Sequence, residues 1–159
     1  MFKFIRTDSQ NHDFISLVQL LDAELSQRDG DEYSFYAQFN RLSAIKNVVL
    51  AYDTNGEPAA CGALKEYAPG IMEVKRMFTI SANRGKGLAS NILHELETWA
   101  IEMGYQTCIL ETGPKQPEAI RLYEKNGYKL IPNYGQYIGV ENSICFEKRL
   151  APAIRGAHN

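Results

Sequence analysis

The stretch from Ile71 to Glu111 constrains this chain more than any other, because a strand, a long amphipathic helix and a second strand follow one another there with only short joints. Ile71 to Ile80 reads as a strand, and Gly87 to Met103 places Leu88, Ile92, Leu93, Leu96 and Ala100 on one helical face. Gly104 supplies a left-handed stop just past that helix, and Thr107 to Glu111 is a short apolar strand. Two strands joined by a helical crossover lie parallel, and the crossover is right-handed.

The segments around this unit are of other kinds. Phe2 to Thr7 reads as a short strand, and Asn11 to Arg28 aligns Phe14, Leu17, Val18, Leu21 and Leu25 on one helical face. Asp31 to Leu42 carries Tyr33, Phe35, Tyr36, Phe39 and Leu42 at loose helical spacing after the breaker Asp29-Gly30-Asp31, which predicts a second, shorter helix. Asn47 to Tyr52 and Ala59 to Tyr67 flank the turn signal Asp53-Thr54-Asn55-Gly56 and predict a β-hairpin. Pro69-Gly70 turns the chain again into Ile71. Pro117 to Asn126 reads as a helix with Pro in its first turn and Gly127 past its end, and Ser143 to Lys148 is a closing strand. The expectation is an α/β (α+β) fold, a mixed sheet flanked by helices, in one domain over residues 1–150 with a loose tail over 151–159.

Composition agrees and narrows the function. A chain of 159 residues with 45% hydrophobic content suits one compact domain. A formal net charge of -2 offers neither the basic excess of a nucleic-acid binder nor a polybasic membrane face. The longest apolar runs, such as Asn47 to Tyr52, are too short to span a bilayer, and Met1 to Arg6 lacks the apolar core of a signal peptide, so a cytoplasmic location is expected. Cys61, Cys108 and Cys145 are odd in number and sit in apolar strand segments, which favours buried thiols over disulfides. His12, His94 and His158 pair neither with one another nor with the cysteines at ligand spacing, so no metal is expected.

The chemistry concentrates where the strand ending at Ile80 meets the long helix, in Ser81-Ala82-Asn83-Arg84-Gly85-Lys86-Gly87-Leu88-Ala89. A helix start presents unpaired amide hydrogens and the positive end of the helix dipole, and Gly85 and Gly87 let an anion approach the backbone. Arg84 and Lys86 add positive charge, although a basic glycine-containing turn can also be only a turn. Neither the Gly-x-x-x-x-Gly-Lys-Ser/Thr run nor the third glycine of the dinucleotide fingerprint is present.

At these residues the chain resembles the GNAT acetyltransferases, whose Arg/Gln-x-x-Gly-x-Gly/Ala signature is met by Arg84, Gly87 and Ala89. A second stretch, Pro117 to Tyr128, resembles the family's Ala-Ile-x-Leu-Tyr-Glu-x-x-Gly-Phe/Tyr segment. The resemblance runs from about Glu73 to Leu150 and fades before Asn47, where the family's acceptor site varies. It implies a mostly antiparallel sheet with a central, splayed parallel pair. It also implies acetyl-CoA as co-substrate, its pantetheine arm along Met77, Phe78 and Thr79 and its pyrophosphate at Gly85, Lys86, Gly87, Leu88, Ala89 and Ser90, with Arg84 leading the motif. An amide near Phe78 is the implied donor to the oxyanion.

The reaction further needs proton traffic, because an alkylamine with a pKa of ~10.4 attacks only when neutral. By resemblance the base is Glu111 or Glu73, and the acid that protonates the departing thiolate is Tyr123. Ordinary readings stand beside these roles: a strand-end Glu can cap a helix or pair with Lys75 or Arg76, and Tyr123 can simply pack on the sheet. Lys75 and Arg76 are expected to alternate across the strand, facing a substrate anion or a salt-bridged surface. Gln116 stands where many members carry an Asn that contacts the cofactor. Tyr33, Tyr36, Phe39, Tyr134 and Tyr137 are candidates for an acceptor pocket. The expected function is transfer of an acetyl group to a primary amine, of a small molecule, by direct attack in a ternary complex, and GNAT-like domains suggest a homodimer. The alternatives are a non-catalytic acyl-CoA-binding module and a protein or peptide acetyltransferase.

Overall fold

The structure, a computed structural model, describes residues 1–29, 45–114 and 116–151. The helix expected over Asp31 to Leu42, with Tyr33, Tyr36 and Phe39, lies outside the described residues, as does the tail from Pro152. Seven strands form a mixed, mostly antiparallel sheet in the order β1-β2-β3-β4-β5-β7-β6. Three α-helices are described. The backbone gathers into two compact units, Met1–Lys65 with Val74–Leu96, and Glu66–Glu73 with the chain from Glu97 onward.

The first unit is built on β1 (Lys3–Thr7), β2 (Asn47–Tyr52) and most of β3 (Pro58–Ala68). β1 and β3 both pair antiparallel with β2, through Ile5↔Leu50 and Leu50↔Cys61 among others. The β2–β3 turn closes because Asp53 Oδ1 accepts from the amides of Asn55 and Glu57, both at 2.9 Å. Helix α1 (His12–Asp29) starts at Asn11, whose side-chain oxygen accepts from the amides of Asp13 and Phe14 at 2.9 and 3.0 Å. Its Phe14, Leu17 and Val18 pack with Val48, Leu50, Cys61 and Ala63 in one buried cluster. Gly62 faces the other way, because a Cβ there would meet Ile92 and Leu96 of α2 (Leu88–Glu102). Burial on both faces accounts for the unbroken apolar runs of β2 and β3, which show no alternation with polar residues.

The second unit contains the start of β4 (Ile71–Thr79), which pairs parallel with β5 (Thr107–Thr112) from Ile71↔Thr107 to Glu73↔Ile109. This is the parallel pair that the crossover predicts. β7 (Ile144–Arg149) runs antiparallel to β5 and also pairs with β6 (Lys129–Ile131), a strand that sequence periodicity does not reveal. Helix α3 (Pro117–Lys125) and helix α2 both end in the same way. The amides of Tyr105 and Tyr128 reach back to the carbonyls of Ala100 and Tyr123, and Gly104 and Gly127 take φ of +91° and +92°. The three cysteines are free and buried. Among the described residues no helix is long and apolar enough to cross a membrane.

Candidate active site

In the first unit β4 ends at Thr79, one turn of 3₁₀ helix follows over Ser81–Asn83, and Arg84 to Gly87 lead into α2 at Leu88. Gly85 and Gly87 both have φ of +80°, and a Cβ at either would meet nothing within 4 Å. Glycine is therefore set there by backbone conformation, and the outer side of the turn is open. The Gly87 carbonyl accepts from Asn91 N–H at 3.1 Å, so the amides of Leu88 and Ala89 belong to the first turn, ahead of the helical ladder. An exposed, left-handed turn feeding a helix start fits the diphosphate of a coenzyme.

The two cations of this turn behave differently. Lys86 is exposed, with Nζ donating to Asn83 Oδ1 at 3.3 Å. The Arg84 guanidinium instead turns back on the protein. Its Nε donates to the Thr79 carbonyl at 2.8 Å and its Nη2 to both Glu24 oxygens at 3.0 and 3.1 Å. It also lies 5.7 Å from the centre of the Phe78 ring. Arg84 thus braces the turn against α1 and β4, and part of its charge is met by Glu24.

Within β4, Arg76 has φ of +58°, a left-handed conformation in the middle of a strand. Strict alternation of Lys75 and Arg76 therefore does not continue through this point. Arg76 Nη1 donates to Asp22 Oδ1 of α1 at 2.6 Å, and the Arg76 carbonyl accepts from the Cys61 thiol at 3.3 Å. Of the two readings open for this residue, the salt-bridged one is observed.

The second unit holds the proton-handling candidates. Tyr134 donates its hydroxyl to Glu73 Oε2 at 2.6 Å, and Glu73 is buried. The Tyr134 ring meets Tyr67 edge-on at 5.2 Å and Tyr137 at 5.6 Å between centroids. Glu111, half-buried, pairs in register with Cys145 of β7. Burial, reinforced by the charges of Glu111 and Glu73, raises the Tyr137 phenol above its ordinary value. Burial, with the charge and hydrogen bond of Glu73, does the same to Tyr134. Glu73, Glu111, Tyr134 and Tyr137 thus form one electrostatically connected cluster. Sequence reasoning missed Tyr67 as part of its aromatic wall, although the residue sits next to the Pro69-Gly70 turn that admits β4.

Tyr123 is buried on α3, its ring 5.8 Å from that of Tyr128 and 6.2 Å from that of Phe146. Burial first, and then the negative charge of Glu111, raise its phenol well above 10.0. The packed-aromatic reading is thus correct as far as contacts go, and the hydroxyl is also held in its protonated form. Gln116 precedes α3, with its carbonyl accepting from the amides of Ala119 and Ile120 at 3.0 and 3.2 Å and its side chain making no cap bond. Among the described residues no cluster of His, Cys, Asp and Glu has the makings of a metal site.

Comparison with known proteins places these features in a family. The family described as the acetyltransferase (GNAT) family matches residues 14–128, a span that includes the glycine turn and Tyr123. The IAA acetyltransferase of Azospirillum brasilense is 32% identical over 142 residues, covering 85% of this chain and 91% of that protein. A crystal structure from Klebsiella pneumoniae, of a proposed acyl-CoA N-acyltransferase, superimposes with a TM-score of 0.80 at 29% identity over 95% of this chain and 99% of that one. The PaiA N-acetyltransferase of Thermoplasma acidophilum, solved with coenzyme A, shares the fold with a TM-score of 0.69 at 16% identity, over 94% of this chain and 99% of that one. Sequence and fold agree, and the chain is a member of the GNAT acetyltransferase family.

Proposed function

We propose that this acetyltransferase moves an acetyl group from acetyl-CoA to the primary amine of a small molecule, by direct attack in a ternary complex. The observation that supports coenzyme binding is the turn at Gly85 and Gly87, left-handed at both glycines and open on its outer side, which delivers the first amides of α2. Bound there, the coenzyme supplies an acetyl thioester. The amides of Met77, Phe78 and Thr79 are the donors that would align the acyl arm, and one near Phe78 would receive the charge that develops on the carbonyl oxygen. Glu111 or Glu73, directly or through water, takes a proton from the substrate's ammonium and leaves the neutral amine that attacks. As the new N–C bond forms and the C–S bond breaks, the Tyr123 hydroxyl gives its proton to the departing sulfur, and the second proton lost by the nitrogen restores the phenol through water. The aromatic wall of Tyr67, Tyr134 and Tyr137, backed by two carboxylates, favours a cationic amine over an anionic substrate.

Two measurements test this reading. Acetyl-CoA at about a hundred times its Kd should stabilise the protein by roughly 2.7 kcal/mol, with NAD and ATP giving no comparable shift. A thiol-release screen across amino acids, polyamines, aminoglycosides and peptides then seeks the acceptor, with IAA included because the Azospirillum relative is named for it. An unchanged melting curve at saturating acetyl-CoA would sink the coenzyme assignment, and turnover confined to peptides would overturn the small-molecule one.

A further inference from the structure

Among the described residues Arg76 is the one non-glycine residue with positive φ. Arginine has a Cβ that disfavours this conformation, so contacts from outside the strand must hold it. Two are visible: the ion pair from Nη1 to Asp22 of α1 at 2.6 Å, and the Cys61 thiol donating to the Arg76 carbonyl at 3.3 Å. The Arg76 side chain is only 7% exposed, so its guanidinium is fixed in place. Just after it come Met77, Phe78 and Thr79, and then the turn at Arg84, which Glu24 holds from the same helix at 3.0 Å. α1 therefore grips both ends of the segment from Arg76 to Arg84.

We propose that the Asp22–Arg76 pair is a positioning device for acyl transfer. By keeping β4 left-handed at Arg76, it sets the direction in which the amides of Met77 to Thr79 meet the acyl arm of the coenzyme. A left-handed residue within a strand breaks the pleat and re-aims the groups that follow. A partly desolvated ion pair is a weak source of net stability but a strongly directional one, which suits it to positioning. The inference rests on the acetyl-CoA reading given above, and it names residues that neither touch the reacting atoms nor carry the glycine motif.

The test separates the acyl arm from the nucleotide. Acetyl-CoA and 3′-phospho-ADP, which keeps the diphosphate but lacks the pantetheine arm, are titrated calorimetrically into wild type, Asp22→Asn, Arg76→Ala and Arg76→Gly. Asp22→Asn and Arg76→Ala should weaken acetyl-CoA about tenfold while leaving 3′-phospho-ADP within roughly twofold. Arg76→Gly should recover part of the loss seen in Arg76→Ala, because glycine takes positive φ without a Cβ penalty. Asp22 is 35% exposed, so Asp22→Asn keeps the test available even if an Arg76 variant folds poorly. Parallel weakening of both ligands, or no weakening of acetyl-CoA, would overturn the device while leaving the coenzyme site intact. Wild type binding neither ligand would instead overturn the acetyl-CoA reading, and this inference with it.

Discussion

A phenol can protonate a thiolate only while it still holds its proton, and Tyr123 is placed so as to keep it. Burial and the neighbouring Glu111 charge both favour the neutral form, so the hydroxyl stays protonated past the ordinary value of 10.0. Tyr123→Phe keeps the ring contacts with Tyr128 and Phe146 and removes only the hydroxyl proposed as the acid. It should lower kcat about a hundredfold or more while changing stability by less than about 1 kcal/mol, read by steady-state thiol release and urea unfolding. Because the shift is upward, wild-type kcat should show no basic limb from this group below the ordinary phenol value. A variant with undiminished chemistry would remove Tyr123 from the mechanism. Tyr123 could be singled out because a motif contains it, whereas the surroundings of other residues depend on partners far along the chain. The bond from Arg84 to Glu24, sixty positions away, cannot be read from the motif that contains Arg84. Glu97 would be taken for a solvated helix residue, yet it is buried and accepts from Tyr128 Oη at 2.9 Å and Lys148 Nζ at 2.8 Å.

At the scale of elements, local signals and tertiary contacts divide the work. The ends of α2 and α3 were readable because each closing pattern needs a left-handed residue, and Gly104 and Gly127 supply it. β6 was not, because Lys129 to Ile131 is too short to show periodicity and becomes a strand only by pairing with β7. The left-handed turn at Arg76 was equally hidden, since arginine does not favour it and its support comes from α1 and β3. Gly62 shows a third kind of constraint, that of helix against sheet. A Cβ there would lie 2.6 Å from Met77 Sδ, 2.7 Å from Ile92 Cγ2 and 2.9 Å from Leu96 Cδ1. Gly62→Ala must therefore displace three side chains in a packed interior, two of them from α2. It should cost about 1–3 kcal/mol. The check is the urea midpoint of Gly62→Ala against wild type, and a stability equal to wild type would mean that α2 and β3 separate more easily than their contacts indicate.

Over the whole molecule, topology was the most legible property, because the order strand, helix, strand admits few arrangements, and the observed parallel pairing of β4 with β5 follows from it. The distribution of buried acids was not legible, since burial of a thiol or phenol depends on what covers it. Both units hide such groups. Burial raises Cys61 in the first to about 12 and, in the second, Cys108 to about 12 and Cys145 to about 11. Tyr123, Tyr128, Tyr134 and Tyr137 are raised as well, for the same primary reason. In the unfolded chain the thiols and phenols titrate near 9.0 and 10.0, whereas the folded protein keeps them protonated to higher pH. Each raised group thus contributes stability that is complete below its unfolded value and is lost as pH rises toward its folded one. Above that lower limit every such group removes about 1.4 kcal/mol per pH unit, and several act together. The protein should therefore unfold cooperatively in mild alkali, with the phenolate absorbance of these four tyrosines rising together with the loss of circular dichroism. The chain has nine tyrosines, so phenolate beyond what the five outside this group can supply, appearing while the helical signal is intact, would show that these four reach solvent in the native state. In that case Tyr123 would lose the environment on which its proposed role as an acid depends.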